Sequence, residues 1–482
     1  MISFFLSIVA LVLGYFLYSK FIEKVFGVDP TRKTPALTMN DGVDYVPMPQ
    51  WKIFLIQFLN IAGLGPIFGA VAGAMWGPSA FLWIVLGSVF AGGVHDYFSG
   101  MLSLRHKGES ITETTGRYLG SGMKQVMRVF TIILMIMLGA VFIMGPAKIL
   151  DGMTGGIGGG VTMWVWIIFV YYILSTVLPI DKIIGKFYPV FGVALLFMAI
   201  GIMVVMVAQG LPIPELTMDH LSNMHHSPEK FPLFPMLFVT VACGAISGFH
   251  SSQSPMMARC MTNEKQGRSI FYGAMITEGV VALIWAAISM SFFGGVGELN
   301  DVLVAQQGNA AYVVSVISNS LLGKIGGILA LLGVVAAPIT SGDTAFRSAR
   351  LIVADFTKSK QSSIRNRLLI SFPLFVAGYA LTLVDFGIVW RYFAWTNQTL
   401  ATVVLWMITA YLIQERKAFW VTLVPAVFMS AVVTSYILVA PEGFSLSTNI
   451  SYAVGIAVAL MLLVVTLVKI NKKEEPELEA VK

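Results

Sequence analysis

The side chains most able to do chemistry in this sequence are ionisable groups inside long apolar stretches. His95 and Asp96 are adjacent within one such stretch, and the carboxylate of Glu278 lies alone in another. A charge at membrane depth is costly unless it is paired or neutralised by a proton. All three residues are therefore candidates for ion coupling through proton handling. The alternatives are a structural cap near a helix end, with Arg105 as the partner of Asp96, and a buried structural pair for Glu278.

A second candidate ion site combines hydroxyl groups with a carboxylate. Thr340, Ser341 and Asp343 are close together in the sequence. Their oxygen atoms suit a hard monovalent cation. The same hydroxyl groups could instead cap a helix over residues 344–355. The sequence leaves both interpretations open.

Two apolar stretches carry residues that weaken a helix near the middle of the membrane. Backbone groups that lose their helical partners there must face protein or a water-filled cavity, and secondary transporters bind solute at paired broken helices. Proline adds to the effect because it removes an intrahelical hydrogen bond. The alternative is that the glycines mark close helix packing. The substrate-binding residues predicted at the two breaks are Gln57, Asn60, Gly63, Gly65 and Pro66 in the first and Cys243, Gly244, Ser247 and Gly248 in the second.

A further polar group surrounds an aromatic residue late in the chain. Asn397 and Gln398 belong to the run AWTNQT over residues 394–399. At membrane depth these side chains must face protein or a cavity. We expect them to line or gate the solute site, and the alternative is that they form hydrogen bonds between helices.

The composition indicates that these residues are positioned by membrane-spanning helices. Hydrophobic residues make up 57% of the 482 residues and charged residues only 12%, against roughly 25% charged in soluble domains. We therefore expect an all-α polytopic membrane protein, in which each span needs about 20 apolar residues. Apolar runs of spanning length predict about thirteen transmembrane helices, at residues 2–19, 53–76, 79–104, 126–147, 162–179, 187–209, 231–250, 270–293, 325–341, 367–385, 391–413, 418–440 and 450–470. The stretch 303–322 is expected to be a surface helix outside.

The distribution of positive charge predicts the orientation of the chain. With the N-terminus outside and the C-terminus in the cytoplasm, 27 of the 31 lysines and arginines fall on the cytoplasmic side, as the positive-inside rule requires. The exceptions are Lys148, Lys230, Lys324 and Arg391. The net charge of +6 is therefore a topology signal, and we expect the lipid bilayer rather than nucleic acid as a partner. The oligomeric state is left open.

The spacing of the two breaks suggests an internal repeat. They fall in the second and seventh predicted spans, and a shift by five spans, an odd number, requires inverted topology. We expect one transmembrane transporter domain, 1–482, with an extra first helix at 1–19. The remaining segments are a five-helix repeat at 53–209, an inverted repeat at 231–413, two additional helices at 418–470 and a charged cytoplasmic tail at 471–482.

The motifs of common enzyme and ATPase classes are absent from the sequence. There is no phosphate-binding G-x-x-x-x-G-K-[ST] loop, no H-E-x-x-H zinc motif and no Cys-x-x-Cys pair. Ser247 lacks the G-x-S-x-G context of a nucleophilic serine. Secondary transport is therefore favoured over a membrane-embedded enzyme, and a transporter-like nutrient sensor is the other alternative.

Several sequence runs resemble a known family of bacterial inner-membrane transporters, the carbon starvation protein A (CstA) family, and this chain resembles a short member. The resemblance extends from the second predicted span through the eleventh. The matching runs are NIAGLGPI (60–67), FAGGVHDY (90–97), SLRHKGES (103–110), ACGAISGFHS (242–251), SPMMARC (254–260), DTAFRSAR (343–350) and NQTL (397–400).

The resemblance implies uptake of small peptides or pyruvate across the cytoplasmic membrane during nutrient limitation. It also implies a LeuT-like fold of five-plus-five inverted repeats. No cofactor is expected besides a coupling ion, H⁺ or Na⁺. In sodium-coupled proteins of that fold a cation lies between the first broken helix and the eighth core helix, which correspond here to Ala62 and to Thr340 with Ser341.

Overall fold

The chain folds into helices joined by turns and loops. The computed structural model describes residues 1–42, 44–155, 159–177, 181–359 and 363–479, and these ranges contain no strand. The helices are α1 (Ile2–Phe26), α2 (Gln50–Ile61), α3 (Gly65–Trp76), α4 (Ser79–Arg105), α5 (Ile111–Leu119), α6 (Ser121–Thr154), α7 (Gly160–Val177), α8 (Asp181–Ala208), α9 (Leu233–Thr240), α10 (Gly248–Ala258), α11 (Glu264–Phe292), α12 (Val296–Ala305), α13 (Ala310–Ala330), α14 (Ala337–Thr357), α15 (Ile364–Thr382), α16 (Phe386–Gln414), α17 (Trp420–Val439) and α18 (Thr448–Glu479).

Many of these helices are long and apolar enough to cross a membrane. Within the described ranges nine qualify by length and composition, or ten when the bent pair α2–α3 is taken as one span. The prediction of an all-α polytopic membrane protein is therefore confirmed. Helices also lie at the predicted spans 162–179, 231–250 and 367–385, but they are not among the ten, so the count of thirteen is not confirmed. Residues 178–179 of one predicted span and residues 480–482 of the predicted tail lie outside the described ranges.

Both predicted helix breaks are present. Helix α2 ends at Ile61 and α3 begins at Gly65 with a bend of 46°. Pro66 lies in the first turn of α3, where its missing N–H costs no helical hydrogen bond. The second break is longer, because α9 ends at Thr240 and α10 begins at Gly248.

The region after residue 310 differs from the prediction. The stretch expected as a surface helix, 303–322, contains the end of α12 and most of α13, and Gly323 interrupts α13 with a left-handed φ of 55°. From residue 331 a π-helical segment, Leu331–Ala336, leads directly into α14. Because Thr340 and Ser341 lie inside α14, the interpretation that they cap a separate helix over 344–355 is wrong.

Helix α10 is the element that organises the interior. It packs against α2, α4 and α16, while α3 packs along α11. Among the largest fully buried side chains are Tyr97 on α4 and Trp285 on α11. The two short helices that follow the breaks are therefore enclosed by protein, as unsatisfied backbone at membrane depth requires.

Candidate functional site

The two helix breaks lie directly against each other. A Cβ atom added to Gly65 would collide with Cβ and Sγ of Cys243, and one added to Gly244 would come within 2.7 Å of Ala282 Cβ and 3.8 Å of Pro66 Cα. Glycine is therefore required at both positions for this close approach. The structure thus brings together the residues predicted at the first break and those predicted at the second.

The side chain of Asn397 on α16 forms hydrogen bonds with residues of the second break. Its side-chain oxygen accepts a hydrogen bond from the backbone N–H of Phe249 at 2.7 Å, and its side-chain nitrogen lies 2.9 Å from Ser247 Oγ and 3.5 Å from Cys243 Sγ. The N-cap of α10, Ser247, makes no capping bond with its own side chain. The carboxamide from α16 replaces that cap, because it satisfies one of the free N–H groups in the first turn.

The neighbouring amides are buried and only partly satisfied. Gln398 donates to the backbone carbonyl of Ile246 at 3.0 Å, and Gln57 on α2 donates to Ser254 Oγ at 3.4 Å. The side-chain oxygens of Gln57 and Gln398 are buried and have no hydrogen-bond partner among the described residues. Asn60 is also buried, in the last turn of α2. Two acceptors, the side-chain oxygens of Gln57 and Gln398, are therefore unsatisfied near the breaks.

A fully buried chain of four ionisable groups lies beside the second break. Asp96 Oδ1 is 2.7 Å from His95 Nδ1, Asp96 Oδ2 is 2.8 Å from His250 Nδ1, and His250 Nε2 is 3.4 Å from Glu278 Oε2. All four side chains have no solvent exposure. The structure therefore joins the predicted ion-coupling residues His95, Asp96 and Glu278 into one cluster.

His250 links the cluster, and sequence reasoning missed it. It lies in the first turns of α10, between Asp96 on α4 and Glu278 on α11. Its position in the polar run after Gly248 was visible in the sequence, but its partners are distant in the chain. An ionisable residue at membrane depth is a functional candidate by default, and that rule alone would have selected it.

An ionised Asp96 would fix which nitrogens of the two histidines carry protons. When Asp96 is ionised it only accepts, so both histidines donate to it through Nδ1. The Nε2 atom of a neutral His250 is then an acceptor, and it faces Glu278 across 3.4 Å. Neither His250 Nε2 nor either carboxylate oxygen of Glu278 has a hydrogen-bond partner among the described residues.

The second predicted ion site is a separate region. Thr340 Oγ1 donates to the carbonyl of Ala337 in its own helix at 2.7 Å. Asp343 accepts from Ser175 on α7 and pairs with Arg347 Nη2 at 3.3 Å. None of these contacts involves a residue of the buried four-residue cluster. Asp343 is instead part of an ion pair at the α7–α14 contact.

The aromatic ring of Phe142 lies between α14 and the first break. A Cβ added to Gly63 would lie 2.7 Å from this ring, and a Cβ added to Gly342 on α14 would lie 3.1 Å from the Cβ of Phe142.

The predicted cation site at Ala62, Thr340 and Ser341 stays a prediction. In the described ranges no group of three or more His, Cys, Asp or Glu side chains is arranged to hold a metal ion.

Comparison with protein-family models identifies the family. The model for carbon starvation protein CstA matches residues 1–158, 153–321 and 301–436. The chain belongs to the carbon starvation protein CstA family. This confirms the resemblance found in the sequence.

Three relatives show how far the similarity extends. An uncharacterized membrane protein of Haemophilus influenzae is 42% identical over 63% of this chain and 95% of its own length. The peptide transporter CstA of Campylobacter jejuni is 27% identical over 98% of this chain and 85% of its own length. The pyruvate/proton symporter BtsT of Escherichia coli is 29% identical over 58% of this chain and 47% of its own length, so the chain spans about half of that relative.

A solved structure shares the fold. The manganese transporter of Eremococcus coleocola superposes with a TM-score of 0.56 at 13% identity, over 90% of this chain and 99% of that protein. At this identity the likeness concerns the fold alone. The LeuT-like arrangement implied by the family resemblance is thereby confirmed, and the chain is a multi-pass protein of a membrane transporter family.

Proposed function

We propose that this protein is a secondary active transporter that imports short peptides or pyruvate by ion-coupled alternating access. The observation that carries the proposal is the contact between the two helix breaks, where Gly65 packs on Cys243 and Asn397 caps α10. Paired broken helices hold solute and ions in this class of transporter. The unpartnered oxygens of Gln57 and Gln398 provide acceptors beside them. The names of the relatives support peptides and pyruvate as the solutes.

We further propose that the coupling ion is a proton, carried by the buried cluster of His95, Asp96, His250 and Glu278. Two carboxyl groups and two imidazoles with no exposure to solvent are costly to bury unless their net charge is controlled by proton binding. Glu278 is the terminal acceptor, because it lies at the end of the cluster, with its Oε2 3.4 Å from His250 Nε2. A sodium ion at Ala62, Thr340 and Ser341 is the competing possibility.

The proposed orientation has the N-terminus outside and the C-terminus in the cytoplasm of the bacterial inner membrane. The amino group of Met1 pairs with Glu215, in the loop between α8 and α9. Arg105, at the other end of the bundle, pairs with Glu264 at 3.1 Å, next to Arg32. The first contact supports placing the N-terminus and the 209–232 loop on the same side of the membrane. The second supports placing the basic loops, which the positive-inside rule assigns to the cytoplasm, on the opposite side.

The test is uptake by the purified protein in proteoliposomes. Labelled pyruvate and labelled dipeptides are supplied under an imposed proton gradient or an imposed sodium gradient. Accumulation of either solute class driven by the proton gradient is expected. Absence of uptake of both classes under every gradient would overturn the transport proposal, and accumulation driven by sodium alone would overturn proton coupling.

A single substitution tests the role of the cluster. Glu278→Gln is expected to abolish accumulation driven by the proton gradient and to spare exchange of internal for external solute, because the amide cannot bind the coupling proton. The matched control is Glu298→Gln, at an exposed carboxylate in the first turn of α12, which should change neither activity. Unchanged accumulation in Glu278→Gln would remove this carboxylate from the coupling mechanism.

A further inference from the structure

A cavity of about 290 Å³ lies on the side of the breaks that faces the 209–232 loop. Its walls come from α9 before the second break, α3 after the first break, the start of α16, the α12–α13 segment and the 225–231 loop. Phe68, one turn after Gly65, and Thr240, the last residue of α9, both line it. The cavity therefore lies next to the proposed solute site, and the proposed orientation places it on the outer side, from which an importer receives its solute.

Aromatic rings form two walls of this cavity. On one side the ring centre of Phe68 is 6.3 Å from that of Phe386 and 5.8 Å from that of Trp390. On the other side the His225 ring is 4.6 Å from Trp76 and 4.8 Å from Phe231.

Rings in such clusters bury large apolar area at little cost in side-chain entropy. A ligand with an apolar side chain would gain most from these walls.

A guanidinium group provides the polar end. Arg391 lines the cavity and is 35% exposed, and its Nε is 3.0 Å from Glu442. Glu442 also accepts a hydrogen bond from Tyr436 at 2.7 Å. Arginine has five N–H donors in a planar fork, and Arg391 Nη1 lies 3.3 Å from the position of a Cβ on Gly387, another lining residue. Asp385 Oδ1 lies 3.1 Å from the same position and also lines the cavity, so a ligand carboxylate would bind the guanidinium beside two protein carboxylates, Asp385 and Glu442.

His225 adds a neutral donor. Its Nδ1 accepts from the backbone N–H of Ser227 at 3.2 Å, so the neutral ring carries its proton on Nε2. Burial and the neighbouring His226 lower the pKa of His225 to about 4. The aromatic wall on this side is therefore uncharged at neutral pH.

We propose that this cavity is the first binding site for short peptides with an apolar side chain, whose terminal carboxylate pairs with Arg391. The inference rests on the proposed transport function and narrows its solute class. Pyruvate also has a carboxylate, but its single methyl group can bury little apolar area against the aromatic walls. A dipeptide ending in leucine or phenylalanine uses both features of the site.

The size of the preference follows from the area that the side chain buries. Transfer of a leucine or phenylalanine side chain from water into an apolar site favours binding by about ten- to one-hundredfold. Glycylphenylalanine should therefore compete with a labelled dipeptide at least tenfold better than glycylglycine. Its C-terminal amide should lose most of that advantage, because the amide cannot form the ion pair with Arg391.

The experiment measures competition against uptake of labelled dialanine by the wild-type protein in proteoliposomes. The unlabelled competitors are glycylglycine, glycylphenylalanine, the amide of glycylphenylalanine, and pyruvate. Trp390→Ala is expected to reduce the advantage of glycylphenylalanine about tenfold, with Trp51→Ala as control, because Trp51 is 62% exposed and lies away from the cavity. Arg391→Gln should make acid and amide compete equally.

The outcomes separate this inference from the transport proposal. Uptake with equal competition by glycylglycine and glycylphenylalanine overturns the peptide site and leaves transport standing. Uptake of pyruvate with no competition from any peptide overturns it as well. Absence of uptake of every solute overturns the transport function itself. If a variant does not fold, the wild-type competition series alone decides.

Discussion

Replacing Asn397 with alanine should loosen the second helix break and expose the thiol of Cys243. In the wild-type protein Cys243 is 4% exposed. Its Sγ lies 3.5 Å from the Asn397 side-chain nitrogen and 3.6 Å from Ser247 Oγ. A reagent can reach the thiol only when the break opens, so the labelling rate reports how often the break opens.

The magnitude follows from the hydrogen bonds that alanine removes. The buried backbone N–H of Phe249 loses its 2.7 Å acceptor, and Ser247 Oγ loses its 2.9 Å partner. A buried donor left without a partner costs about 1–3 kcal/mol. Because 1.4 kcal/mol is a factor of ten, the population of the open break should rise about 5- to 150-fold.

The assay follows modification of Cys243 by a membrane-permeant maleimide, with intact mass as the readout. Cys260, the other of the two cysteines, is replaced by serine so that one thiol is measured. When closing is fast relative to modification, the rate is proportional to the open population. Asn397→Asp keeps an acceptor for the Phe249 N–H and should show a smaller increase than alanine.

The matched control is Thr402→Ala on the same helix. The Thr402 hydroxyl is buried and donates to the carbonyl of Gln398 within α16 at 2.8 Å, so its loss should leave Cys243 labelling near the wild-type rate. An increase below about threefold in Asn397→Ala would refute the capping role, since it corresponds to less than the cost of one unsatisfied buried donor. An equal increase in Thr402→Ala would do the same.

Two further predictions concern packing and pH. Gly248→Ala should raise labelling of Cys243 and lower uptake by about tenfold or more, because the added Cβ would collide with the α16 backbone. The control is Gly122→Ala, whose added Cβ has no neighbouring atom within 4 Å and should change neither labelling nor uptake. The pKa of His225 is lowered to about 4 by burial and by His226. The folded loop therefore binds fewer protons than the opened loop below the ordinary pKa of about 6.5, and its packing weakens as pH falls from there towards 4. Proteolysis of the 222–231 segment should be roughly tenfold faster at pH 5 than at pH 7, after correction for the protease's own pH profile. His225→Phe keeps the ring stacking and should lose this dependence, and an unchanged pH profile in that variant would exclude His225 as the cause.

Both helix breaks could be predicted because their causes are local. Glycine and proline change the backbone where they occur, so Gly65, Pro66 and Gly248 mark the breaks without knowledge of the fold. The same holds for His95, Asp96 and Glu278, since a charge within an apolar run is visible in one dimension. These predictions need no tertiary contact.

The features that were missed depend on partners distant in the chain. The place of His250 between Asp96 and Glu278 became visible only in the fold, because both partners are distant in the chain. The polar residues of α14 were interpreted as the end of a span, yet the helix continues through them, and Asp343 is held there by Ser175 and Arg347. The partners Ser175 for Asp343, and Asp96 for His250, are more than 150 residues away in the chain.

In the proposed mechanism, α10 connects the solute site with the buried cluster that would bind the proton. The helix begins at Gly248, beside the Asn397 carboxamide at the break, and carries His250 two residues later. At 1.5 Å per residue these two positions are about 3 Å apart along the helix axis, so a displacement at the break is transmitted directly to His250. Solute that orders the break in one position would therefore set the gap between His250 and Glu278, which is 3.4 Å here. Binding linkage is reciprocal, so protonation of that pair must bias the break equally. We therefore expect variants that loosen the break, such as Asn397→Ala, to lower the number of protons moved per solute before they abolish exchange. A constant ratio, with uptake and exchange declining together, would show that α10 does not carry the coupling.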